Sequence, residues 1–217
     1  MDPTHPGPRP GLSPTETEKR QAAGAAAELV ADGMTVGLGT GSTVAYLLPA
    51  LAARRLDIRC VATSPRTQTD ATALGLRVEA FSQLDRLDLA IDGADQVDPD
   101  GWIVKGGGGA HVREKIVAAA AETFVVIVSS DKEVPRIGSP VPLELLPFGL
   151  AATLHELSCA RVRPSTPPSP DGGVIADWTD PFDDPAALAA YLDSVPGVVG
   201  HGLFHPGMVS TVIVGGR

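Results

Sequence analysis

Short apolar runs alternate with longer mixed stretches along most of this chain, and the alternation predicts its architecture. Ser13-Pro14-Thr15-Glu16 has a cap residue, a proline at the first helical position and an acid three residues after the cap, which together mark a helix start. The alanine-rich stretch behind it predicts a helix to about Val30, closed at Asp32-Gly33, where glycine takes the left-handed conformation that ends a helix. Met34 to Leu38 then reads as a short buried strand, Gly39 to Ser42 as a tight loop and Thr43 to Ala53 as a second helix. Further strands are expected at Ile58 to Ala62, Arg77 to Phe81, Leu87 to Ile91, Trp102 to Val104 and Phe124 to Val128, with helices over about 66 to 74 and 110 to 121.

Strands and helices in that rhythm imply an α/β fold, a Rossmann-like parallel sheet with helices on both faces. Beyond about Pro135 the texture changes. Prolines multiply, and Arg161 to Val162, Val174 to Trp178 and Val198 to Phe204 read as strands around a helix over 185 to 194, a smaller α+β (ferredoxin-like) unit. Met208 to Val214 is a last apolar strand that can join either sheet. The expected organisation is a catalytic domain over residues 14–136, completed by 203–217, and a smaller domain over 137–202. Residues 1–13 read as a disordered tail, since Met1 to Gly11 is rich in Pro and Gly and lacks the charged-then-apolar order of a secretory signal.

Composition narrows the partners. The chain has 217 residues, of which 43% are apolar, and its apolar runs are too short to cross a bilayer, so no membrane partner is expected. A net charge of −9 without a Lys/Arg stripe argues against nucleic acid. A small anion would have to be held locally, by backbone N–H groups and one or two lysines, because the overall field repels it. Cys60 and Cys159 stand singly without CxxC spacing, which predicts buried reduced thiols and a cytoplasmic location.

In a parallel α/β sheet, ligands bind beyond the carboxyl ends of the strands, so the segments after each expected strand carry the chemistry. Gly37-Leu38-Gly39-Thr40-Gly41-Ser42-Thr43 joins a strand to a helix. Its glycines admit close approach, and the helix-start N–H groups with the Ser42 and Thr43 hydroxyls can cradle a phosphate; a purely structural glycine turn is the alternative. The segment lacks the Gly-Lys-Ser/Thr ending of a P-loop, and Ser42 stands where a dinucleotide fingerprint needs its third glycine. Asp92-Gly93-Ala94-Asp95 follows the strand Leu87 to Ile91. Its two carboxylates can face one pocket, where mutual repulsion raises one pKa, although Asp-Gly also makes an ordinary turn.

Lys105-Gly106-Gly107-Gly108-Gly109 spends backbone entropy on four successive glycines, whose N–H groups can form an anion-binding nest beside a lysine that stabilises an oxyanion. The next helix carries Glu114 near its N-terminus, off the apolar stripe marked by Val112 and Ile116. A solvated glutamate is the ordinary outcome there, and only the nearby glycine loop promotes it. Ser130-Asp131-Lys132 offers a lysine to a phosphate, or merely a surface charge.

Taken together, Gly39-Thr40-Gly41-Ser42-Thr43, Asp92-Gly93-Ala94-Asp95, Lys105-Gly106-Gly107-Gly108 with Arg113-Glu114-Lys115, and Asp131-Lys132 resemble ribose-5-phosphate isomerase of type A in order and spacing. Val195-Pro196-Gly197-Val198-Val199 with Gly202-Leu203-Phe204 is similar to that family's second domain. The resemblance implies aldose–ketose conversion between D-ribose 5-phosphate and D-ribulose 5-phosphate through an enediolate, in the non-oxidative pentose phosphate pathway. It implies no metal and no cofactor, and a homodimer or homotetramer.

It also implies Glu114 as the base that moves the proton between C2 and C1, Asp92 as the residue that assists ring opening, and Lys105 with the amides of Gly106, Gly107 and Gly108 as the enediolate's stabilisers. Thr40, Gly41, Ser42, Thr43, Gly93, Ala94 and Lys132 fall where the family contacts its substrate, and Asp95 where it binds sugar hydroxyls. The proline-rich segment 163 to 173 and Pro147-Phe148-Gly149 depart from the family pattern. A phosphosugar sensor would need the phosphate loop without Glu114 or Lys105. Metal-assisted hydride shift would need converging ligands, and His201 and His205 are not expected to point the same way.

Overall fold

A computed structural model of the protein describes residues 12–217, so the tail expected over 1–13 lies almost wholly outside them. The first helix, α1 (Pro14–Ala27), begins on the expected capping box: the Glu16 N–H donates to Ser13 Oγ (3.3 Å), and the Ser13 N–H donates to Glu16 Oε2 (2.9 Å). It stops at Ala27, three residues before the expected end. The chain continues through β1 (Thr35–Leu38), α2 (Val44–Arg54), β2 (Arg59–Ala62), α3 (Pro65–Ala73), β3 (Arg77–Val78), β4 (Leu87–Asp92), β5 (Gln96–Val97), β6 (Ile103–Val104), α4 (His111–Ala120) and β7 (Ala121–Val128). The strand expected over Arg77 to Phe81 is only two residues long and gives way to a 3-10 turn at Phe81–Gln83.

Six strands form one sheet in the order β13-β7-β4-β1-β2-β3, where β13 is Thr211–Val214, and every pairing is parallel. Side chains alternate across it. Val36, Leu38, Cys60, Leu89, Ile91, Val125 and Ile127 pack with α1, α2 and α3, whereas Val61, Ala90, Phe124, Val126 and Val128 pack with α4 and Phe204. Both faces are therefore covered, which is why the central strands read as continuous apolar runs. Strand order reverses between β1 and β4. The loops leaving these two neighbours diverge and open a crevice at their carboxyl ends, the usual ligand position in such sheets.

The second unit runs β8 (Val141–Leu145), α5 (Leu150–Glu156), β9 (Ala160–Val162), β10 (Val174–Trp178), α6 (Pro185–Ser194) and β11 (Val198–His201). Its antiparallel order, β11-β8-β10-β9, is the ferredoxin-like arrangement. The inner strand β8 has no counterpart in the sequence expectation, because Pro140 and Pro142 interrupt its apolar run and proline ordinarily demotes a strand to an edge. Here the Pro142 carbonyl still accepts the Gly202 N–H (2.7 Å).

The single strand expected over Val198 to Phe204 is two. After β11 the chain breaks at Gly202 and enters β12 (Leu203–Phe204), which belongs to a three-stranded sheet β12-β6-β5. A Cβ on Gly202 would overlap the Lys105 carbonyl, so this crossing needs glycine. Cys60 is buried as expected, and burial pushes its thiol up to about 12. Cys159 is only half-buried, contrary to the burial expected for it, and donates to Asp180 Oδ2 (2.8 Å).

Candidate active site

The crevice is built from the segments that follow β1, β4, β6 and β7. Gly39 sits where the β1 loop crosses the end of β4: its N–H donates to the Ile91 carbonyl (3.0 Å), and a Cβ there would overlap the Asp92 carboxyl. That close crossing lets Asp92 Oδ1 accept the N–H groups of Thr40 (3.0 Å) and Gly93 (2.7 Å). Thr40 Oγ1 lies 2.8 Å from Thr63 Oγ1, and Thr67 Oγ1 donates to the Gly39 carbonyl (2.9 Å), which fixes the loop from the β2 side. The Ala45 and Tyr46 N–H groups donate to the Gly41 and Thr43 carbonyls (3.0 Å each), while those of Ser42, Thr43 and Val44 have no acceptor among the described residues and are open to an anion.

The glycine loop between β6 and α4 turns on two left-handed residues, Gly106 (φ +108°) and Gly109 (φ +73°). A Cβ on Gly106 would lie 2.7 Å from His111 Nδ1 and 2.8 Å from Pro142 Cβ, so glycine is needed for space as well as for conformation. The Gly107 N–H donates to Asp95 Oδ2 (2.8 Å), tying this loop to the one after β4.

At the base of the crevice three charged side chains are buried together. Lys105 Nζ lies 2.8 Å from Asp92 Oδ2 and 3.3 Å from Glu114 Oε2, and it also donates to the Gly93 carbonyl. The approach to Glu114 is off hydrogen-bond geometry, so Oε2 has no hydrogen-bond donor among the described residues. Two carboxylates and one ammonium leave one negative charge unneutralised among side chains that are almost wholly buried, and protonating a carboxylate relieves it. Burial first, and the Asp92 charge second, push the Glu114 carboxyl up to about 8 against the opposing pull of Lys105. Burial likewise raises Asp92, with Lys105 opposing. Burial alone would lower Lys105, but the charges of Asp92, Glu114 and Asp95 outweigh it and hold the ammonium above its ordinary range.

A cavity of about 250 Å³ opens above this trio. Thr40, Gly41, Ser42 and Thr43 line it from the β1 loop, and Gly93, Ala94 and Asp95 from the β4 loop. Lys105, Gly106, Gly107 and Gly108 line it from the glycine loop, with Glu114 from α4 and Lys132 from the turn after β7. Asp92 alone of the expected site residues does not line the cavity; it lies beneath, reached through Lys105. The carboxyl raised by like charge is Glu114, on which Asp92 and then Asp95 act, a partner the expected Asp92–Asp95 pair did not include.

The buried face of α4 is not the one its apolar stripe predicts. Its inward residues are His111, Glu114, Val117 and Ala118, while Ile116 is half exposed, so Glu114 is on the buried face and not beside it. Lys19 escaped sequence reasoning altogether. It reaches the cavity from α1 and donates to Ser42 Oγ (2.9 Å), and with Lys132 it supplies two ammonium groups near the start of α2. No local motif marks it, since only the packing of α1 beside the β1 loop brings it there.

Fold and site together have the features of an enzyme: a switch-point cavity beside a helix start with free N–H groups, and below it a buried carboxyl raised to about 8. Comparison with known proteins agrees. The sequence profile of ribose 5-phosphate isomerase A (phosphoriboisomerase A) matches residues 59–217. Ribose-5-phosphate isomerase A of Rhodopseudomonas palustris strain HaA2 is 43% identical over 220 aligned positions, covering 93% of this chain and 94% of the relative. The structure of ribose 5-phosphate isomerase A from Methanocaldococcus jannaschii superposes with a TM-score of 0.86 at 33% identity, covering 92% of this chain and 94% of that one. A D-ribose-5-phosphate isomerase in complex with phospho-erythronic acid gives a TM-score of 0.87 at 34% identity, covering 94% and 96%. The chain belongs to the ribose 5-phosphate isomerase A family.

Proposed function

We propose that this protein interconverts D-ribose 5-phosphate and D-ribulose 5-phosphate through an enediolate, a step of the non-oxidative pentose phosphate pathway. The carrying observation is Glu114: a carboxylate at the cavity floor, without a hydrogen-bond donor on Oε2, whose pKa of about 8 suits a group that must take and return a proton near neutral pH. In this reading Glu114 removes the proton from C2 of the open-chain aldose and delivers it to C1. Lys105 and the amides of Gly106 to Gly108 stabilise the oxygen that gains negative charge. Asp92 holds Lys105 in place and assists ring opening only through that lysine, and Asp95 binds sugar hydroxyls.

The phosphate belongs at the start of α2, with Ser42, Thr43, Lys19 and Lys132 around it. The related structure's phospho-erythronic acid fits the same logic, because a carboxylate resembles an enediolate in its planar pair of oxygens. Among the described residues no helix is long and apolar enough to cross a membrane. A cytoplasmic homodimer or homotetramer is the proposed working form; light scattering of the pure protein tests the assembly.

Ribose 5-phosphate supplied to the purified protein should yield ribulose 5-phosphate, read as ketose absorbance. Absence of ketose at micromolar enzyme would refute the assignment.

A further inference from the structure

The glycine loop is held from outside the main sheet. Arg163, just beyond β9, is anchored by its own N–H on the Ile175 carbonyl (3.0 Å), which prolongs the β9–β10 ladder. Nε and Nη2 of its guanidinium donate to the two oxygens of Asp177 (2.7 and 2.6 Å), a bidentate pair that fixes the plane of the fork. Nη1 remains, and it donates to two successive carbonyls of the glycine loop, those of Gly106 (3.1 Å) and Gly107 (3.1 Å).

In a trans peptide the N–H points opposite to the carbonyl of the same plane. Holding the Gly106 carbonyl toward Arg163 therefore turns the Gly107 N–H away, toward Asp95 in the cavity wall. Holding the Gly107 carbonyl turns the Gly108 N–H the same way, and that N–H has no acceptor among the described residues. Successive peptides in an extended chain point their carbonyls to opposite sides, so convergence on one nitrogen requires the turn through Gly107 and Gly108, which the Gly109 N–H closes on the Gly106 carbonyl (3.0 Å).

We propose that Arg163 is a positioning residue for the isomerisation: from the smaller unit it sets the two peptide planes that turn the Gly107 N–H onto Asp95 and present the free Gly108 N–H to the reacting oxygens. The inference rests on the isomerase reading above. Without the guanidinium the Gly106–Gly107 plane keeps its bonds to Gly109 and Asp95, but the Gly107–Gly108 plane, flanked by glycine and with no other partner among the described residues, is free to rotate. A rotated Gly107–Gly108 plane turns a carbonyl oxygen to the cavity in place of an N–H, and repels the charge the loop otherwise stabilises. Asp177 is the residue that orients the fork, and Ile175, 3.3 Å from where a Gly109 Cβ would stand, is the floor on which the loop rests.

Arg163→Met and Arg163→Lys test this against the wild type, with ribose 5-phosphate as substrate and phospho-erythronic acid as the oxyanion-bearing probe. Arg163→Met should lower kcat by roughly 10- to 100-fold while KM changes by less than about threefold, since a misplacement of about 1 Å at reacting groups has that scale. Affinity for phospho-erythronic acid should fall in parallel with kcat. Arg163→Lys keeps a cation beside Asp177 but lacks the fork, so it should regain most of the melting temperature without regaining kcat.

Wild-type kcat in Arg163→Met, unchanged binding of phospho-erythronic acid, or joint recovery of stability and kcat in Arg163→Lys would overturn the positioning role. A wild type that does not turn over ribose 5-phosphate would instead overturn the isomerase reading on which it rests.

Discussion

Replacing Glu114 by glutamine should have opposite effects on catalysis and on stability. Glutamine keeps the shape but cannot carry the proton, so kcat should fall by about 10²–10⁴, equivalent to about 3–5 kcal/mol on the barrier. KM should change little, because the phosphate subsite at Ser42, Thr43, Lys19 and Lys132 is untouched. The stability effect follows from the carboxyl's rise from 4.5 unfolded to about 8 folded. Between those values the folded state binds the proton more tightly than the unfolded one. The resulting stability is fully present below pH 4.5 and is lost as pH rises through about 8.

At about 1.36 kcal/mol per pH unit, a shift of 8 − 4.5 = 3.5 units caps that loss at about 5 kcal/mol. Glutamine has no such proton to lose, and Lys105 retains Asp92 at 2.8 Å. Thermal melts should therefore place the variant close to wild type at pH 5 and above it at pH 9, alongside steady-state kinetics at pH 7.5. A variant with kcat within threefold of wild type, or a melting difference identical at the two pH values, would refute the reasoning.

The acid limb of kcat/KM should follow an apparent pKa of about 8 in the wild type and vanish in the residual activity of Glu114→Gln; a pH-independent wild-type profile contradicts the role of that carboxylate. Lys105→Met should lower kcat by about 10²–10³. It should also destabilise the fold by about 3–5 kcal/mol, because Asp92 and Glu114 lose their shared cation; urea melts measure this. Lys19→Ala should raise KM for ribose 5-phosphate by roughly tenfold at unchanged kcat, the scale of one hydrogen bond to a charged group, and a kcat effect alone would remove it from the phosphate subsite. Gly39→Ala should abolish turnover and lower the melting temperature together, since its methyl group needs the space of the Asp92 carboxyl.

What the sequence reveals depends on how local the cause is. The start of α1 is legible because a capping box needs only Ser13 and Glu16, and the strands of the main sheet are legible because burial on both faces makes them apolar throughout. The site loops are legible because parallel strands bring all their carboxyl ends to one edge of the sheet. β8 is hidden by Pro142, whose place inside a sheet is tolerated only through its neighbours. The buried face of α4 is hidden because its pocket end must be polar, so the hydrophobic stripe points to Ile116 while Glu114 goes inside. Lys19 and Arg163 act across 23 and more than 50 residues of chain, and no spacing rule records such contacts.

The proton's route through Glu114 is tested most directly by running the reaction in heavy water. Transfer by way of the carboxylate requires solvent deuterium at C1 of ribulose 5-phosphate and at C2 of recovered ribose 5-phosphate, visible as lost proton NMR signals. Full conversion with both positions still carrying protons, together with undiminished turnover by Glu114→Gln, would mean that hydrogen moves directly between the carbons, and the base assigned to Glu114 would have no part in it.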